Sequence, residues 1–222
     1  MPRAVIFDLD GVLVDSESLW DDARRELVGQ HGGTWTEQAT TDMLGMSAPE
    51  WSSYMVEALG VKLPAAEIDH EVRTRVEQEY RRRLPLIDGA AAAVRTVAAE
   101  WPLGLASSSN REIIELVLEL SGLAGAFEVT VSSEEVPHGK PAPDVYLKAA
   151  AQIGVEPEGC VAVEDSSNGL RAAAAAGMAV IAVPNPHYPP SDDALALAAT
   201  RVETVRELTP QLLERAVQSA ST

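Results

Sequence analysis

Five short apolar runs, at residues 4–7, 103–106, 129–131, 160–163 and 179–183, constrain what this chain can fold into more than any other feature. Each is too short for a helix and reads as a strand buried on both faces. Helical patterns lie between or beside them, at residues 90–100, 111–121, 144–154 and 167–176. Strand alternating with helix predicts an α/β fold, a doubly wound parallel sheet with right-handed crossovers. With 46% hydrophobic and 23% charged residues among 222, the chain can bury a sizeable core.

The first interval breaks the rhythm. From residue 15 to about 86 no strand-like run occurs, only amphipathic segments at 18–28, 50–59 and 65–83. Roughly 70 residues is far more than one crossover needs. The expected organisation is a core of residues 1–15 plus 87–222, Rossmann-like, and an inserted α-helical domain of residues 16–86. Pro184-Asn185-Pro186 marks a loop after the fifth strand, and residues 210–220 read as a closing helix.

A net charge of −17 argues against nucleic acid or an anionic membrane as partner, since both need a basic face. No segment has the roughly 18 consecutive apolar residues of a membrane helix. Asp8 and Asp10 interrupt the only apolar stretch that could serve as a signal peptide. The single cysteine, Cys160, falls in an apolar run and reads as an inert buried thiol. These features together predict a cytoplasmic protein.

In open α/β sheets ligands gather beyond the C-terminal ends of the strands, so the residues there matter most. Strand one ends in Asp8 and Asp10, two apart and therefore on one face if the chain stays extended. Strand two runs into Ser107-Ser108-Ser109-Asn110, and strand four into Glu164-Asp165, each opening a helix. Gly139-Lys140-Pro141 precedes the helix at 144, and Lys140 is one of only three lysines. Either acidic pair alone could be a turn or a helix cap. Four carboxylates brought into one small volume need a divalent cation, and an all-oxygen set suits Mg2+. Ser107 with neighbouring amides at a helix start, and Lys140, would suit a phosphate group. A small phosphorylated metabolite is thus the expected partner.

The stretches "DLDGV" (8–12), Ser107, Lys140 in "GKPAPD" and "VEDSSNG" (163–169) resemble the four motifs of the haloacid dehalogenase superfamily. Their order and spacing match from about Val5 to Val183. "DGVLVDS" with "GKPAPD" is similar to the subfamily of small phosphatases and β-phosphoglucomutases, and residues 16–86 look like its helical cap domain. The resemblance implies that Asp8 attacks phosphorus to form an aspartyl-phosphate, and that Asp10 carries the proton for leaving group and water. It implies that Ser107 and Lys140 hold the phosphoryl, with Ser108 and Asn110 in the same phosphate-binding set. Mg2+ would rest on Asp8, Asp165 and the main-chain carbonyl of Asp10, with Glu164 close or water-bridged.

Within that family the sequence favours hydrolysis. Dehalogenases of the family lack the second aspartate, and its phosphonate hydrolases use a cap lysine. Here the only cap lysine, Lys62, sits in a polar turn. Its mutases carry a cap histidine where this chain has Trp20, and an arginine where it has Ala48. "DSESLW" is more like the sugar-phosphate phosphatases. The expectation is a Mg2+-dependent phosphatase acting on small phosphomonoesters, with a phosphosugar mutase as the alternative and a non-catalytic phosphosugar-binding protein behind both. Opening and closing of a cap suits a monomer. Trp20, Met46 and Trp51 either face the substrate or pack. Arg73, Arg75 and Arg81 to Arg83 read as a solvated face with Glu77–Arg81 and Glu79–Arg83 pairs.

Overall fold

A computed structural model describes residues 1–220. Six strands, β1 (Ala4–Phe7), β2 (Leu103–Ser107), β3 (Val129–Ser132), β4 (Cys160–Glu164), β5 (Ala179–Ala182) and β6 (Thr200–Arg201), form one sheet. All pairings are parallel and the order is β3-β2-β1-β4-β5-β6. Five of these are the apolar runs of the sequence. The sixth has no such run: it is two residues long and partly exposed, and only its pairing with β5 makes it a strand.

The chain between β1 and β2 forms α1 (Glu17–Gln30), α2 (Glu37–Met43), α3 (Ala48–Glu57), α4 (Ala65–Arg82) and α5 (Ala90–Ala98). Beyond β2 come α6 (Arg111–Ser121), α7 (Asp144–Ile153), α8 (Ser167–Ala175), α9 (Asp192–Leu195) and α10 (Pro210–Ala220). The period of two along the strands divides the core. Val5, Phe7, Val161 and Val163 face a cluster built with α5, α6 and α10. Ala4, Ile6, Cys160 and Ala162 face a second one, built with α7 and α8. Burial pushes the Cys160 thiol up to about 11, which leaves it an unreactive core residue.

Residues 16–86 hold no strand beyond isolated bridges. α1 and α3 pack on α4, whose buried stripe is Ile68, Val72, Val76 and Tyr80. Helix α2 has no apolar periodicity to announce it; the Thr36 hydroxyl caps it by accepting from the Ala39 amide at 3.2 Å. The expected Glu77–Arg81 and Glu79–Arg83 pairs do not form. α4 ends at Arg82, so Arg83 leaves the helical face in extended backbone. The pairs present include Arg73–Glu77 at 3.2 Å, Arg75–Glu26 at 3.3 Å and Arg82–Glu79 at 2.5 Å.

The chain leaves and re-enters the core side by side. The Asp15 amide donates to Pro85 O at 2.8 Å, and the Ile87 amide to Leu13 O at 2.9 Å. The strand order reverses between β1 and β4, which opens a crevice at their C-terminal ends. No described helix is long and apolar enough to cross a membrane.

Candidate active site

The Asp8 amide donates to Val163 O at 3.0 Å, which extends the ladder one step past β1 and carries the Asp8 carboxylate to the crevice. The chain then turns on Gly11, whose φ is +79° and whose amide donates to Val14 O at 2.7 Å. A Cβ on Gly11 would lie 1.8 Å from Asp165 Oδ2, so glycine is required both by the turn and by its neighbour. On β4, Glu164 closes the strand and Asp165 follows it. Ser166 caps α8 by accepting from the Gly169 amide at 3.1 Å. A Cβ on Gly169 would fall 1.7 Å from Glu164 Oε1, so α8 sits directly against that carboxylate.

Lys140 reaches the crevice from the loop before α7 and is 3% exposed. Its Nζ donates to Asp8 Oδ1 at 2.7 Å and to Glu164 Oε1 at 2.6 Å. Tyr146 adds a hydroxyl donated to the same Glu164 oxygen at 2.8 Å. Glu164 Oε2 accepts from the amides of Asp165 (2.9 Å) and Ser166 (3.2 Å) and from the Ser166 hydroxyl (3.2 Å). Both Glu164 oxygens are therefore taken up in holding Lys140 and the β4–α8 turn.

Asp10 stands apart from this cluster. Its Oδ1 accepts from the Ser16 hydroxyl at 2.5 Å and its Oδ2 from the Ser109 hydroxyl at 2.6 Å. Two hydroxyls fix the carboxylate at the mouth of the crevice. The sequence reading reached neither serine as a partner of Asp10. Ser109 carried one signal, its place two residues beyond Ser107 at a strand exit.

The expected phosphate-binding set divides. Lys140, Ser108 and Asn110 line a recess together with Asp8, Asp10 and Asp165. Ser107 lies beneath it, fully buried, its Oγ accepting from the Ser109 amide at 2.9 Å. The Ser108 hydroxyl donates to Gly45 O at 3.0 Å. The Asn110 amide donates to Glu134 at 2.8 Å and to Asp69 at 3.3 Å. Both side chains thus touch residues of the insertion. Trp20, Met46 and Trp51 line the far wall, the two tryptophans buried as they do so.

Burial pushes the Asp8 carboxyl up to about 8; Glu164 and Asp10 add to this, and Lys140 opposes it. Asp165 is raised well above the carboxylate range by burial and by Glu164 and Asp8. One lysine does not offset this much negative charge. Oxygens of Asp8, Glu164 and Asp165 lie within 4.8 Å of one another, a donor set that fits a hard divalent cation. With Glu164 occupied by protein donors, Asp8 and Asp165 are the carboxylates free to ligate. Of the four expected ligands, Asp10 contributes no carboxylate to the cluster.

A parallel sheet that carries a paired carboxylate and lysine, and a capped helix start, to its switch point is the framework of an α/β enzyme acting on an oxyanionic group. Residues 2–177 match the haloacid dehalogenase-like hydrolase family. Hexitol phosphatase B of Escherichia coli (strain K12) is 35% identical over 213 residues, 93% of this chain and 94% of that protein. Crystalline CbbY from Rhodobacter sphaeroides, in complex with phosphate, superposes with a TM-score of 0.86 at 26% identity, over 96% of this chain and 100% of that one. β-Phosphoglucomutase from Clostridium difficile shares the fold, with a TM-score of 0.86 at 23% identity and 98% of each chain covered. The chain belongs to the haloacid dehalogenase-like hydrolase family and is a phosphatase of that family.

Proposed function

We propose that this enzyme hydrolyses small sugar-phosphate monoesters with Mg2+ as cofactor, through an aspartyl-phosphate on Asp8. The observation that carries the reading is the pairing of two differently held carboxylates. Asp8 is gripped by Lys140 at 2.7 Å, while Asp10 is aimed by two hydroxyls and has no cation beside it within hydrogen-bond reach. Two carboxylates in different environments can take different roles.

In the first half-reaction an Asp8 oxygen attacks phosphorus, the bond to the ester oxygen breaks, and Asp10 delivers a proton to that oxygen. In the second, water attacks phosphorus as Asp10 takes its proton, and the bond between phosphorus and Asp8 breaks to return the carboxylate. Lys140, the Ser108 side and the amides opening α6 hold the phosphoryl oxygens as charge develops on them. Mg2+, held by Asp8, Asp165 and the Asp10 carbonyl, would supply the positive charge that this acidic crevice lacks. The similarity to hexitol phosphatase B supports a sugar phosphate as substrate. Residues 16–86 act in this reading as a cap that opens and closes on the paired segments at residues 13–15 and 85–87.

The test is phosphate release from a panel of phosphomonoesters, with Mg2+ and with chelator. Turnover of hexose and hexitol phosphates that stops with chelator is expected, and inactivity on the whole panel would sink the proposal. Asp8→Asn is expected to lower kcat by at least about a thousandfold, as loss of a covalent nucleophile does. A mutase would instead convert β-glucose 1-phosphate to glucose 6-phosphate, primed by the 1,6-bisphosphate, faster than it releases phosphate.

A further inference from the structure

Arg24 is the cation lining the recess that this mechanism leaves unused. It lies on α1, 7% exposed, with its guanidinium carbon 5.3 Å from the Trp20 ring and 4.9 Å from the Trp51 ring. Its Nε is buried without a hydrogen-bond partner, and no described carboxylate comes within 4.0 Å of its nitrogens. The charges around it are Glu17, Asp21 and Asp10. Two of these are engaged elsewhere: Asp21 accepts from Arg25 and Thr40, and Asp10 from Ser16 and Ser109. Glu17 also lines the recess and makes no hydrogen bond among the described residues. A desolvated cation with neither an anion nor a hydrogen-bond acceptor in contact is costly to maintain unless a ligand completes it.

We propose that Arg24 is a specificity-determining residue: its guanidinium, held between Trp20 and Trp51, donates to hydroxyl oxygens at the end of the substrate remote from the transferring phosphoryl, opposite Glu17 as acceptor. The inference rests on the sugar-phosphatase reading and adds how the polyol end is recognised. A cation and a carboxylate side by side complement a diol, which both accepts and donates. A second anionic group would meet Glu17, Asp10 and Asp165, which line the same recess, so a bisphosphate fits it poorly. The two indole faces fix the fork of the guanidinium and keep water from it.

The experiment compares a hexitol 6-phosphate, butyl phosphate and a sugar bisphosphate on wild type, Arg24→Met and Arg24→Lys. Arg24→Met is expected to lower the ratio of kcat/KM for hexitol phosphate over butyl phosphate by roughly tenfold or more, the range of a hydrogen bond to a charged group, and mostly through KM. Arg24→Lys is expected to recover part of the ratio. Parallel loss on both substrates would show a packing role and overturn the proposal, as would no loss on either. A greater loss on the bisphosphate than on the hexitol phosphate would overturn the diol and assign the subsite to a second anion. If wild type turns over none of the three, the phosphatase reading fails separately. Calorimetric binding of the hexitol phosphate to Asp8→Asn, with and without Arg24→Met, then decides, and equal affinities would end the proposal.

Discussion

Gly11 and Gly169 show how tightly single residues are specified around the crevice. Each stands where a Cβ would enter a carboxylate, Asp165 for the first and Glu164 for the second. Gly169→Ala sits in a helix and is neutral to favourable for α8 by propensity alone. Its expected effect is therefore on the site. Glu164 moves, Lys140 loses one of its two carboxylate anchors, and phosphate release falls by at least about tenfold, while the chemical denaturation midpoint shows whether the fold survives. Glu17 offers a test by pH. Burial, with Asp10 against Arg24, raises its carboxyl to about 7 from 4.5. The folded protein then holds that proton more tightly than the unfolded chain, so this contribution is complete below 4.5 and is lost as pH rises through 7. Stability measured by denaturant is expected to decline over that window more in wild type than in Glu17→Gln. Equal pH profiles would show that Glu17 is not so perturbed.

The elements matter for where they stop. β1 and β4 end one residue apart in register, Phe7 opposite Val163, so Asp8 and the Glu164–Asp165 pair emerge together. α8 starts at once after them because Ser166 satisfies its first free amide within reach. The loop between α2 and α3 is tied to these ends: Asn168 donates to Leu44 O at 3.1 Å and Ser108 to Gly45 O at 3.0 Å. Such contacts exist only while the helical insertion lies against the sheet edge. Asn168→Ala removes one neutral hydrogen bond, worth about 1 kcal/mol, and is expected to raise KM by up to about fivefold. An unchanged KM in steady-state assays would show that the tie does not bear on substrate binding.

At the scale of the whole molecule, an acidic protein is assembled around an acidic centre. The chain carries 34 acidic against 17 basic side chains. Burial, with Glu164 beside both, keeps Asp8 and Asp165 raised, and Lys140, the one cation hydrogen-bonded to Asp8 among the described residues, opposes it. A ligand that binds only the folded state stabilises it by mass action. Mg2+ at one hundred times its dissociation constant is expected to add about 2.7 kcal/mol, read as a rise in the thermal midpoint. Asp165→Asn is expected to lose most of that rise while remaining folded. A wild-type midpoint indifferent to Mg2+ would remove the cation from the site.

Much of this is legible in the sequence alone. Continuous apolar runs specify β1 to β5, because burial on both faces leaves a strand no polar option, and the period of 3.6 specifies most helices. The motif residues Asp8, Asp10, Lys140, Glu164 and Asp165 could be read at the strand ends, because a parallel sheet opens only there. Three elements escaped: β6, which exists through pairing alone, α2, which is set by a local cap, and the four-residue α9. Partnerships across the chain were equally out of reach. That Glu164 serves Lys140, that Ser16 and Ser109 aim Asp10, and that Arg24 lies between Trp20 and Trp51 are matters of distance between segments far apart in sequence. Arg24 had one trace, an arginine on the buried stripe Trp20, Ala23, Leu27 of α1. Periodicity records which side of an element is buried. Which group it meets there is decided when the elements pack.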